Sequence, residues 1–208
     1  NSTYINRNAT EQNVIIQTKN VLFQITSHEK QKNNVNPNIS DIDLGDCEDK
    51  LKSVYELDKS DQLIIFKTDI KSKDLVHTYV QYQVYHPYDL IPLDLSICDT
   101  QTISINAPIN LEQSVSDLYD HLKEQGYNLF NSNDEFYKDI CSTYTSQSGT
   151  DMILEDRKQE IFLNKGNISL CQDNCEFVSY NSLRKKAKCE CSPQKKEIDI
   201  SSIYSDNK

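Results

Sequence analysis

Cysteines are the residues best equipped for chemistry in this 208-residue chain, and their spacing sorts the seven into three groups. Cys171, Cys175, Cys189 and Cys191 crowd into one short polar stretch, with three, thirteen and one residues between successive members. Four thiolates could hold a tetrahedral zinc ion, but zinc knuckles use pairs two residues apart. Disulfides are the expected state, because so polar a stretch cannot build a core unaided. Cys47 and Cys98 are the only cysteines in the preceding β-rich half and, if that half is oxidised, are each other's expected partners, the alternative being two buried free thiols. The loop of about 50 residues they would close is worth roughly 4 kcal/mol in the chain-entropy account. Cys141 with the later four makes an odd set, so one sulfur must stay free or pair outside this segment.

Four Asn-X-Ser/Thr acceptors stand at Asn1, Asn8, Asn38 and Asn167, none with proline in the middle. They are candidate sites for N-linked glycans, although an Asn-rich chain also yields such triplets by chance. Acids gather at Asp134, Glu135 and Asp139 and again at Asp151, Glu155 and Asp156. A calcium ion needs six to eight such oxygens, and neither cluster has the spacing of a calcium loop. The plainer reading is a solvated helix face or a cap, with Asp156 and Arg157 as a local ion pair. Arg184, Lys185, Lys186 and Lys188, followed by Lys195 and Lys196, form a basic spot that either docks an acidic partner or anionic glycan or is a solvated loop.

The four histidines, at 28, 77, 86 and 121, are scattered, with His28 in a polar stretch and His86 before Pro87. No phosphate loop, nucleophile elbow or zinc-protease helix is present. An enzyme is therefore not expected, nor is a cofactor or a resident metal.

Elements that would hold these residues can be read from periodicity. Val14, Ile15 and Ile16 followed by Val21, Phe23 and Ile25 predict a bent strand or a hairpin. Residues 27–40 lack periodicity and read as a long exposed loop carrying Asn38. Asp43 or Asp46 would cap a helix whose apolar stripe is Cys47, Leu51, Val54 and Tyr55. Strands are expected over 63–70 and 77–85, in the alternation of Leu93, Leu95 and Ile97, and at Ile103, Ile105 and Ala107. A second helix would bury Val115, Leu118, Tyr119 and Leu122, with Ser114 or Ser116 as its cap and Gly126 as its stop. Phe136, Tyr137, Ile140 and Cys141 suggest a short helical piece. Ile153, Leu154 and Phe162 are expected to pack on a neighbouring layer between turns at Gly149 and Gly166. Ile198, Ile200 and Tyr204 suggest a last strand.

These elements amount to an α+β fold: a β-rich antiparallel, sandwich-like layer with a few helices and a small disulfide-stapled C-terminal module. The expected divisions are a glycosylated linker at 1–12, the β-rich domain at 13–165, the stapled module at 166–196 and a tail at 197–208. A formal charge of −10 argues against a nucleic-acid or anionic-membrane role. No apolar run reaches the roughly 20 residues of a membrane span. The start at Asn1, without Met or a signal segment, reads as a processed chain or a piece of a longer one. Sequons and clustered cysteines together point to a secreted or cell-surface location.

Several strings resemble segments of large cysteine-rich modular surface proteins of ciliated protists. They are IDLGDCE at 42–48, LIIFKTD at 63–69, YQVYHP at 82–87 and LDLSIC at 93–98. Further on come FYKDIC at 136–141, GTD at 149–151, LEDR at 154–157 and LCQDNC at 170–175. Proteins of that kind carry epidermal-growth-factor-like and furin-like repeats, and cysteine spacings of three and one suit such modules. The resemblance implies a non-enzymatic extracellular module and assigns no functional residue. The function expected is structural or in assembly, as a subunit of a coat or filament whose partner is another protein or further copies of itself. In one version the segment 13–25, or the tail near Ile198, pairs with a sheet edge in the next copy. The alternative is a ligand-binding receptor ectodomain, with calcium as a candidate ligand.

Overall fold

Alternating β-branched and aromatic residues set the strands, and the computed structural model describes residues 14–32, 34, 36–71, 76–140, 153–158 and 169–193. The chain divides into two compact units, one made of Asn1–Ile109 with Cys171–Lys208 and the other of Asn110–Leu170.

The first unit holds two antiparallel four-stranded sheets. Strands β1 (Val14–Gln17), β2 (Val21–Ser27), β4 (Ile64–Ile70) and β5 (Tyr79–Tyr85) form one sheet, in the order β1-β2-β4-β5. Strands β3 (Asp41–Asp43), β6 (Ile103–Pro108), β7 (Cys175–Asn181) and β8 (Lys186–Cys191) form the other, in the order β3-β6-β8-β7. The fold class read from the sequence is therefore observed. Leu63, Ile64, Ile65, Val80, Val84, Ile42, Ile103 and Ile105 are buried across the two sheets. Pairing places Leu22, Asp69 and Val80 opposite one another, then Gln24, Lys67 and Tyr82, then Thr26, Ile65 and Val84. All nine are buried, so this face of the first sheet carries charge and amide groups within its apolar frame.

Helix α1 (His28–Lys32) touches both β2 and β3. It lies where the sequence predicts a long exposed loop, and His28 and Gln31 are buried within it. Hydropathy misses it because its inward residues are polar groups held by partners. Helix α2 (Asp46–Val54) buries Cys47 and Leu51 as expected, whereas Val54 is exposed. Neither Asp43 nor Asp46 caps it. Gly45 occupies the cap with φ 54 and no side-chain bond, while Asp43 Oδ1 accepts from the Gly45 N–H at 3.0 Å. That left-handed φ is tolerated because glycine has no Cβ.

The predicted strand through Leu93, Leu95 and Ile97 is instead a 3-10 helix at Leu95–Cys98. Asp94 is the reason: its carboxylate accepts from the Ser96 N–H at 2.9 Å and the Ser96 hydroxyl at 2.8 Å, closing a turn that an extended chain cannot make.

In the second unit, α3 (Gln113–Glu124) buries Val115, Tyr119 and Leu122. Glu112, not Ser114 or Ser116, is its cap residue, without a side-chain cap bond. Gly126 ends it with φ 89, as read from the sequence. The N–H of Gly126 bonds the Lys123 carbonyl and that of Tyr127 the Leu122 carbonyl, the two bonds of a Schellman stop. Tyr119 stacks on Phe130 at 5.2 Å. The helical piece expected near Phe136 is a 3-10 turn at Glu135–Tyr137 that buries Phe136 and Tyr137, with Ile140 exposed. Helix α4 (Leu154–Lys158) follows Ile153, which is exposed rather than packed. Phe162, Gly149, Gly166, Ile198, Ile200 and Tyr204 lie outside the described residues.

The units group the chain differently from the boundary read near 165. The stapled hairpin β7–β8 joins the second sheet through the β6–β8 ladder from Ile103 to Pro108. Residues 110–170 are the part that segregates.

Candidate functional site

Cys47 on α2 bonds Cys98 at the end of the 3-10 helix, as expected. Cys171 bonds Cys189 and Cys175 bonds Cys191. Cys175 and Cys191 face each other across the β7–β8 ladder, and Cys189 sits opposite Phe177. All four late sulfurs are joined in pairs, so none of these four is a thiolate that could ligate zinc. Cys141 lies outside the described residues, as do Asn1, Asn8 and Asn167.

Asn38 is exposed in a turn where its N–H bonds the Asn36 side chain at 2.9 Å. Ser40, the hydroxyl residue of the same triplet, is wholly buried. Its N–H donates to Asp69 Oδ2 at 2.7 Å and its hydroxyl to Asp69 Oδ1 at 2.6 Å. Lys67 Nζ donates to the Ser40 hydroxyl at 2.8 Å and to the Ser40 carbonyl. Lys67 and Asp69 are both fully buried, 3.6 Å apart. Burial pushes the Lys67 ammonium below the usual lysine range, and the charges of Asp69 and then Asp41 oppose that fall.

Above this cluster lies a cavity of ≈ 310 Å³ whose lining includes Asn20, Asn38, Ile39, Asp69 and Lys71. A serine beside a lysine of lowered pKa has the composition of a nucleophile with its base. Here the serine proton goes to Asp69 and both partners have no exposed surface. The arrangement clamps the 36–41 turn onto β4, and Ser40 is accounted for by that clamp alone.

A second polar centre joins α1 to α2. His28, read from sequence as a loop residue, is 3% exposed. Its Nε2 lies 2.9 Å from Asp43 Oδ1 and its Nδ1 contacts Glu48. Lys52, one turn on, holds Glu48 Oε1 at 2.7 Å. Burial alone would raise the Glu48 carboxyl, but the bonds from His28 and Lys52 and their charge outweigh it and hold the group at about 2 instead of 4.5.

A carboxyl depressed in the folded state contributes stability above its unfolded pKa and loses it as pH falls through the folded value. The window is thus about 4.5 down to about 2, and the contribution is about 3 kcal/mol. Urea unfolding across that window should show the loss. Glu48→Gln should be less stable near neutral pH and should flatten the acid limb, whereas an acid limb identical to the parent's would refute the assignment.

The remaining sequence candidates are dispersed. Asp134 Oδ1 caps the turn at Glu135–Tyr137 by accepting from the Phe136 N–H at 3.0 Å. Arg157 is buried and turned away from the simple Asp156 pairing: it donates to the carbonyls of Phe136 at 2.9 Å and Asp139 at 3.2 Å and lies over the Phe136 ring at 5.2 Å. Among the described residues no three His, Cys, Asp or Glu side chains are grouped to hold a metal ion. Asp151 lies outside them. The basic spot is also divided, since Lys188 is exposed while Lys186 is buried on Asp41 at 2.7 Å. Lys195 and Lys196 are not among the described residues.

One surface feature stands out. All four residues of β1 are exposed although three are aliphatic, with Ile16 58% exposed in a strand that is outermost in the first sheet among the described residues. From Val14 to Ser27 the only charged side chain is Lys19.

No protein-family model, curated protein or solved structure matches the chain.

Proposed function

We propose that this chain is a non-enzymatic extracellular module with a structural or assembly role, and that β1 is the edge through which copies join. The observation that carries the reading is the uncharged, exposed β1 edge in a chain of net charge −10. Exposed strand edges present unpaired backbone groups to any other strand, and proteins that must stay apart blunt them with charge or proline. This one carries Val14, Ile15 and Ile16 instead. Like-charge repulsion, which opposes contact elsewhere on an acidic surface, is absent along this segment. Antiparallel pairing of β1 with β1 of a second copy is self-complementary and closes a two-fold dimer.

Three disulfides support the extracellular part of the reading, because such bonds persist in oxidising compartments. No helix among the described residues is long and apolar enough to cross a membrane. The resemblance to modular ciliate surface proteins points to the same class. In this reading Asn38 carries an N-linked glycan added before the turn docks, since Ser40 is inaccessible afterwards.

Sedimentation velocity over a concentration series tests the edge. The parent chain should dimerise or form larger species, and Ile16→Lys should weaken association at least about tenfold while leaving the circular dichroism unchanged, as charge on an edge does. A parent that sediments as a monomer at every concentration would remove the proposal.

A further inference from the structure

The first unit is assembled from two stretches of chain separated by the whole of Asn110–Leu170. None of the three disulfides joins those stretches: Cys47 and Cys98 lie in the first, and the other four cysteines in the second. The ladder between β6 and β8 does join them, and beside it three side chains of complementary chemistry converge.

Asp41 on β3 is paired directly opposite Asn106 on β6. Lys186 on β8 is opposite Pro108, which sets it diagonally from Asn106 on the same face, within reach of a long side chain. Lys186 Nζ donates to Asp41 Oδ2 at 2.7 Å, and Asn106 Nδ2 donates to Asp41 Oδ1. One carboxylate thus grips an amine with one oxygen and a carboxamide with the other. The side chains of Lys186 and Asp41 are only 4% and 15% exposed, so little water competes.

We propose that Lys186 and Asn106 become joined by an intramolecular isopeptide bond, with Asp41 carrying the protons. Lys186 Nζ first passes a proton to Asp41 Oδ2, which frees its lone pair. The amine then attacks Asn106 Cγ and the Nζ–Cγ bond forms. A second proton moves from Nζ through the carboxyl group to Nδ2, the Cγ–Nδ2 bond breaks with its electron pair on nitrogen, and ammonia leaves. Asp41 returns to the carboxylate by giving its remaining proton to that ammonia. One lysine ammonium and one carboxamide become one secondary amide and one ammonium ion, with no oxidant, reductant or co-reactant. A carboxyl group held against both partners supplies the positioning and proton transfer that otherwise make amide exchange slow.

The product would tie the two stretches of the first unit covalently, which the disulfides do not. This inference is independent of assembly through β1, and neither stands on the other.

Intact mass of the reduced, deglycosylated chain decides it. The parent should weigh one ammonia less than its sequence requires, and proteolysis should release a branched peptide containing both Asn106 and Lys186. Asp41→Ala and, separately, Lys186→Met should restore the full mass. A parent of full sequence mass overturns the proposal. So does an ammonia loss that maps to a succinimide at another asparagine, with peptides 106 and 186 recovered linear. Because the parent alone gives the deciding result, a variant that fails to fold leaves the test intact.

Discussion

Asp69→Ala is expected to lower the free energy of unfolding by about 3 to 5 kcal/mol, the range for removing one partner of a buried ion pair. The reason is what remains behind. Lys67 would stay fully buried without its counter-charge, and the Ser40 N–H and hydroxyl would lose both acceptors. Lys67→Met leaves Asp69 buried without its counter-charge as well, but should cost less because Ser40 keeps both of its bonds to Asp69 and the methionine fills similar space. The paired change Lys67→Met with Asp69→Leu should recover part of the loss from Asp69→Ala, since an apolar pair of similar volume needs no desolvation of charge. Urea unfolding of the three variants gives the ranking. Equal losses for Asp69→Ala and the double variant would mean that the pair is valued for its fit to Ser40 rather than for balancing charge.

This cluster also explains where the sequence stops being legible. The run from Leu63 to Ile70 reads as a strand at once, and so it is. With Ile65 placed inward, a period of two puts Lys67 and Asp69 inward too. That signal was available, but hydropathy assigns charged residues to the surface. Only the partner supplied by Ser40, far away in sequence, makes them tolerable inside. His28 and Gln31 escape notice for the same reason: His28 needs Asp43 and Glu48, and Gln31 needs the amide of Gln24 and the N–H of Ile42.

Where burial is apolar, the reading succeeds, as in the alternation of β5 and the Cys47–Leu51 stripe. Where a short side chain bonds its own backbone, as Asp94 does with Ser96, local chemistry overrides an apolar alternation that otherwise looks extended. Lys186 shows the same limit at the candidate cross-link. In the sequence it is one of a run of bases, and only the β3-β6-β8 order brings it to Asp41 and Asn106.

Removing the Cys47–Cys98 bond by paired alanine substitution is expected to cost about 4 kcal/mol, from the chain entropy released when a long loop is no longer closed in the unfolded state. The separation is 51 residues, against 18 for Cys171–Cys189. On loop length alone, removing the shorter bridge should cost about 3 kcal/mol. The order matters more than either value. Cys47 lies in the first turn of α2, whose cap residue makes no side-chain bond, and both sulfurs are fully buried. Glu48, gripped by His28 and Lys52, also holds that helix start, so the expected order rests on loop length. Cys189 sits in a strand paired on both sides, where the ladders hold position after the sulfur is gone. Urea titrations of the two double-alanine proteins should therefore place the Cys47–Cys98 variant about 1 kcal/mol lower. The reverse order would show that the Cys171–Cys189 bridge does more than close its loop, by holding the segment before β7 against β8.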